Sequence, residues 1–141
     1  MRLGALLHDI GHIFYPDTLI EKQFSTLTPE EREIIESHTS RGIELIQRWP
    51  ALQFALPYIL YHQEWFDGNG YPNGLSGDAI PTEVQIVSLA DIYEALRHSR
   101  SYRGRAGMTH QEAIEVMRGW RGRRWRPDLF DMFIDIAKDW D

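Results

Sequence analysis

No stretch of this chain alternates apolar and polar residues long enough to make a strand, and that absence constrains the fold more than any other feature. The apolar residues recur instead at three- and four-residue spacing between sharp helix starts. Thr28-Pro29-Glu30-Glu31 is one such start. Thr28 can cap, Pro29 suits the first helical position, and Glu31 closes a capping box. From there the spacing predicts one helix to about Trp49, stopped by Pro50, with Ile34, His38, Gly42 and Ile46 in a single inward stripe. Ala51 to Glu64 reads as another helix, kinked or divided at Pro57, with Ala55, Tyr58, Ile59 and His62 on one face. Pro81 opens a third, striped by Val84, Val87, Asp91 and Ala95. Thr109 caps a fourth with Glu112 as its box partner. Pro127 starts the last, whose apolar face is Leu129, Phe130, Phe133, Ile134 and Ala137. The opening MRLGALL reads as the end of a helix, broken by Gly11 and Pro16. Residues 65–80 carry four Gly and one Pro without periodicity and read as a surface loop of the kind that borders a site. The expected fold is all-α, a bundle of about six helices with one long Gly-rich loop.

Four separate segments send a ligand type into this helical frame: His8-Asp9, His38, His62 and Asp91. A histidine beside an aspartate offers an imidazole nitrogen and a carboxylate to one shared cation. Read singly, His38 would be a hydrogen-bonded core histidine and Asp91 a partner for Arg97. A buried carboxylate needs an Arg, a protonated His or a metal in any case. The chain has no Cys, so disulfides, thiolate sites and a Cys nucleophile are excluded. Ligands must then be His, Asp or Glu, which suit Fe, Mn, Zn or Mg and Ca according to the mix. Together these features point to a metal-centred phosphohydrolase site.

The net charge of −6 argues against the whole domain gripping nucleic-acid polymers. Nine Arg lie between Arg97 and Arg126, however, so a local basic face that meets phosphate is compatible with the sequence. Within that group the run from Arg118 to Arg126 reads as a solvated helix flank. Glu64 either orients an imidazole or is solvated. No apolar run approaches the ~20 residues that span a bilayer and no signal peptide opens the chain, so the expectation is a cytoplasmic protein. Its 141 residues make one domain. Met1 stands only seven residues before His8, which predicts a domain lacking its first helix or helices, with a sensor or other domain upstream.

The segments HDIGH, ESHTSRG, HQEWFDGNGYPNGL, SLADIYEAL and SRSYR, in that order from about residue 5 to residue 137, resemble the HD-GYP domain. This is a branch of the HD superfamily of metal-dependent phosphohydrolases. The resemblance implies hydrolysis of cyclic di-GMP to pGpG or GMP at a bi- or trinuclear centre, of Fe or Mn first, with Zn, Ni or Mg as further candidates. It implies metal ligation by His8, Asp9, His38, His62 and Asp91, with Asp9 bridging, and catalytic roles for Asp9 and His12. Arg100 and Arg103 would hold the substrate phosphate. Gly70 and Tyr71, in the loop Gly68–Pro72 that borders the site, would also bind substrate, and residues 65–77 would receive a GGDEF-domain partner. A homodimer is also compatible with it. His12 stands where the family has the lysine of HDxGK, and Gln63 where it has a second histidine. The acidic and His ligands of the family's preceding helix have no counterpart. These departures leave two alternatives: a degenerate module that binds cyclic di-GMP or a GGDEF partner without turnover, and an HD phosphohydrolase for another nucleotide.

Overall fold

A computed structural model describes residues 1–20, 22, 26–98 and 107–140. The described residues form eight α-helical segments: α1 (Arg2–Leu7), α2 (Asp17–Ile20), α3 (Pro29–Glu36), α4 (His38–Ile46), α5 (Leu56–Tyr61), α6 (Thr82–Arg97), α7 (His110–Arg118) and α8 (Pro127–Ala137). Tight 3-10 turns occupy Ile10–Phe14, Pro50–Ala55 and Gly77–Ala79. There is no strand among the described residues, only two isolated bridges, so the fold is all-α as expected. None of the described helices is long and apolar enough to cross a membrane.

Both expected capping boxes form, with Thr28 paired to Glu31 and Thr109 to Glu112. The single helix expected from Thr28 to Trp49 does not. It divides at Ser37, and its second part ends at Ile46. The cause is local. Ser37 donates to the Ile34 carbonyl at 2.7 Å, the His38 ring to that of Ile35 at 2.7 Å, and Thr39 to that of Glu36 at 3.3 Å. Three consecutive side chains thus contend for carbonyls that a continuous helix would give to backbone amides. The division turns Ile34 out to 45% exposure, while His38, Gly42 and Ile46 stay buried. Pro57 sits in the first turn of α5, so the Pro57 segment is two short helices rather than one kinked helix.

The long helix α6 joins the halves of the molecule. Its Val84 and Val87 pack with Tyr58 and Ile80, and its Leu89 packs with Met117, Trp125, Leu129 and Phe130. Ile46, Ala55 and Ile59 form a third cluster beside α4 and α5. Polar ties reinforce the seam. Gln85 accepts from the Arg126 amide at 3.0 Å, and the fully buried Trp125 donates to Ser88 at 3.2 Å. Near the chain start, Gly11 lets the 3-10 turn lie directly on α4, because a Cβ there would stand 1.8 Å from the His38 carbonyl oxygen. That contact brings Asp9 up against His38.

Candidate metal centre

Each of the three inward histidines is aimed by a backbone carbonyl one turn earlier. His8 Nδ1 donates to the Ala5 carbonyl at 2.6 Å, His38 Nδ1 to that of Ile35 at 2.7 Å, and His62 Nδ1 to those of Tyr58 and Ile59 at 2.9 and 3.1 Å. A carbonyl only accepts, so each ring carries a proton on Nδ1 and turns its Nε2 toward the cluster. The three Nε2 atoms converge on Asp9. His8 Nε2 lies 3.3 Å from Oδ2, while His62 and His38 Nε2 lie 3.3 and 3.4 Å from Oδ1. Asp91 closes the far side, 3.5 Å from His8 Nε2. The four residues His8, Asp9, His38 and His62 therefore meet around one carboxylate, at the ends of α1 and α5 and the starts of α4 and of the first 3-10 turn, while Asp91, from the middle of α6, reaches the cluster at His8.

Two observations test whether a cation suits this arrangement. The Nε2 atoms of His38 and His62 face each other at 3.1 Å although both rings spend their protons on carbonyls, so two lone pairs oppose unless a proton or a metal lies between them. His8 Nε2 is sealed from solvent with no hydrogen-bond partner. Two groupings have geometry suited to an ion, His8 with Asp9 and His62, and Asp9 with His12 and His38. Asp9 is common to both, as a carboxylate joining two cations would be. The donor set of imidazole and carboxylate fits a first-row divalent metal.

The electrostatics follow from this geometry. Burial works against charge on His8, but the Asp9 and Asp91 carboxylates facing its Nε2 outweigh it and raise the imidazole to about 10. Burial also works against charge on Asp9, yet hydrogen bonds and charge from His62 and His8 hold its carboxyl far below the usual range. His38 falls to about 4 through burial and the neighbouring His62 and His12 rings. His12 is lowered as well, chiefly by burial, and stacks on His38 with centroids 4.3 Å apart. A ring so placed does not reproduce the fixed positive charge of a lysine.

A pH dependence with a definite sign results. At neutral pH His8 holds a proton on Nε2 that a cation must displace, whereas His38 is already free. In the cation-free protein the His8 pair with its carboxylates stabilises the fold below pH 6.5 and is lost as pH rises through about 10. Titration calorimetry with Mn²⁺ should therefore show affinity rising roughly tenfold per pH unit between about pH 7 and 9, with about one proton released per site. A flat profile would mean that His8 does not meet the cation.

The remaining predicted residues separate. His12 and Tyr71 line the cavity of about 850 Å³ that opens over Asp9. Gly70 does not line it; the residue packs against the chain, where a Cβ would stand 2.3 Å from the Trp65 nitrogen and 2.5 Å from the Gln63 carbonyl oxygen. Its smallness lets Tyr71 donate to the Gln63 carbonyl at 3.2 Å and swing into the cavity. Arg100 and Arg103 lie outside the described residues. Glu64 neither orients an imidazole nor is solvated. It is 3% exposed, and its carboxylate accepts from the amides of Asn73 at 2.7 Å and Leu75 at 2.9 Å, folding the Gly-rich loop over the site. The flanking arginine run is solvated except at Arg124, which lines the cavity. Neither role was visible as a pattern, since Glu64 is a single carboxylate and Arg124 one arginine among several.

Residues 1–129 match the HD domain family. The chain is 35% identical over 141 residues to a cyclic di-GMP phosphodiesterase of Thermotoga maritima, covering 99% of this chain and 38% of that protein. It is 33% identical over 137 residues to 3'3'-cGAMP-specific phosphodiesterase 2 of Vibrio cholerae, covering 96% of this chain and 25% of the relative. Among solved structures it superposes on Bd1817, an HDG"Y"P protein from Bdellovibrio bacteriovorus, with a TM-score of 0.74 and 27% identity. That match covers 96% of this chain and 42% of the other. The chain thus spans less than half the length of each of these proteins.

Proposed function

This chain belongs to the HD domain family, and we propose that it is a metal-dependent phosphodiesterase hydrolysing cyclic di-GMP to pGpG or GMP. The observation that carries the reading is the convergence of three imidazole Nε2 atoms, from His8, His38 and His62, on both oxygens of one aspartate. His8, Asp9, His38, His62 and Asp91 would hold two divalent ions, of Fe or Mn by preference, with Asp9 between them. Bound there, the ions supply Lewis-acid polarisation of a phosphodiester and acidification of water.

The chain's own groups would do the rest. The backbone carbonyls of Ala5, Ile35, Tyr58 and Ile59 fix each imidazole, so no reorganisation is needed when the site fills. Tyr71 and Trp65 wall the cavity and limit water around the reacting phosphate. Burial and the nearby Glu36 and Asp9 carboxylates push the Tyr71 phenol far up, so it stays a neutral donor. His12 lines the cavity, and in its imidazolium form it would give a proton to the leaving 3′ oxygen. Arg100 and Arg103, matching the family's phosphate-holding pair, would neutralise the non-bridging oxygens. The loop over residues 65–77 would receive a GGDEF-domain partner, a role supported by the exposure of Asp67, Asn69, Pro72 and Asn73.

A second substrate, 3'3'-cGAMP, is favoured by the similarity to the Vibrio cholerae enzyme named for it. One experiment addresses both. Protein purified anaerobically with Fe or Mn is incubated with each cyclic dinucleotide, and linear product is followed by chromatography. Linear dinucleotide from cyclic di-GMP at the higher rate supports the main reading; from 3'3'-cGAMP, the second. Metal-loaded protein that binds either compound without product would replace both with a binding module.

A further inference from the structure

We propose that Arg124 is a further substrate-binding residue, one that grips a phosphate oxygen of the bound nucleotide. The inference rests on the nucleotide reading above. Arg124 differs from its neighbours in what surrounds it. Arg121 makes a forked pair with Asp131 at 2.7 and 2.6 Å, and Arg126 meets Asp128 at 2.7 Å. Arg123 lies 3.7 Å from Asp67 and Arg118 lies 3.8 Å from Glu115. No ion pair or side-chain hydrogen bond among the described residues engages the Arg124 guanidinium, and its Nε is sealed from solvent without a partner.

The guanidinium is nevertheless held firmly. Its carbon sits 4.5 Å from the centre of the Trp65 ring and 5.0 Å from that of Trp120. Its backbone is fastened as well, since the Arg124 amide donates to the Trp120 carbonyl at 2.9 Å and the Arg124 carbonyl accepts from Phe66 at 3.1 Å. Indole faces occupy the flat sides of a guanidinium and leave its edge donors unpaired. Arg124 lines the cavity shared by Asp9, His38, Tyr71 and Asp91. A partly buried cation without a carboxylate is costly in isolation, and an anion that arrives with the ligand offsets the cost. A forked, pre-oriented donor matches two oxygens of a phosphate. A guanine edge could also accept from such a fork. The phosphate is favoured because Arg124 lines the same cavity as the histidine–aspartate cluster, where a phosphodiester would lie.

Calorimetry on the metal-loaded protein with GMP and with guanosine separates these sources. Arg124→Gln should weaken GMP by about tenfold or more and leave guanosine unchanged, and Arg124→Lys, which keeps the charge but not the fork, should fall between. In the wild-type protein, GMP but not guanosine should shield Arg124 from an arginine-directed dicarbonyl reagent, read by peptide mass spectrometry. Unchanged GMP affinity in Arg124→Gln, equal losses for GMP and guanosine, or a wild-type protein that binds no GMP would each overturn the proposal. Should Arg124→Gln not fold, the labelling decides alone: shielding by GMP supports the proposal and equal labelling overturns it. GMP bound with Arg124 shielded, but no cyclic dinucleotide hydrolysed, would refute the proposed reaction and leave the Arg124 contact standing.

Discussion

Asp9→Ala protein is expected to retain less than about a tenth of the wild-type metal and to lose cyclic dinucleotide turnover by on the order of a thousandfold or more. The reason is positional. Asp9 is the only residue common to both groupings that could hold an ion, and its two oxygens face different histidines. Removing any one histidine leaves the other grouping nearly intact; removing Asp9 dismantles both. The fold should survive, because the side chain is 45% exposed to the cavity and fills no core volume. Loss of the carboxylate should also let the His8 imidazole fall, since Asp9 contributes most of what raises it. Metal content by plasma emission, with thermal unfolding as the control, reads the result. Asp9→Asn, which keeps the shape and replaces one oxygen by a nitrogen that donates, should behave like Asp9→Ala. A variant that keeps a full equivalent of metal would refute the central role given to this carboxylate.

How far the sequence announced this site depended on whether a residue's partner was local. Helix starts at Thr28, Pro81, Thr109 and Pro127 were legible because caps and prolines act within four residues. The inward direction of His38 and His62 was legible from spacing on an apolar face. The division at Ser37 was not, because every residue of ESHTS tolerates a helix singly, and only three side chains competing together for the preceding carbonyls break it. Gly70 read as a substrate-binding residue, whereas its Cα hydrogen faces the backbone of Gln63 to Trp65, a contact made only when the loop folds back. Arg124 could not be told from Arg121 or Arg123 by sequence, because what separates them is the presence of Asp131 and Asp67 beside two of them and of Trp65 and Trp120 beside the third.

Glu64 is the residue whose role was least visible and whose loss should be felt most in stability. Its two oxygens each accept one amide, from Asn73 and Leu75, in a place that is 3% exposed. Glu64→Ala would remove two charge-assisted bonds and leave two loop amides without acceptors, at a cost of about 2–5 kcal/mol. For a chain of this length that corresponds to a fall in Tm of roughly 6–15 °C. Glu64→Gln keeps one acceptor and turns a donor toward the other amide, so its cost should be roughly half as great. The readout that identifies the mechanism is hydrogen exchange: the Asn73 and Leu75 amides should lose protection in both variants, while the amides of α6 keep theirs relative to the new global stability. Because the same loop carries Asn69 and Tyr71 to the cavity, KM should rise with metal content unchanged, the reverse of the Asp9 pattern. A Glu64→Ala protein that melts within about 2 °C of wild type, with both amides still protected, would show that the loop is held by Gly70 packing and not by this carboxylate.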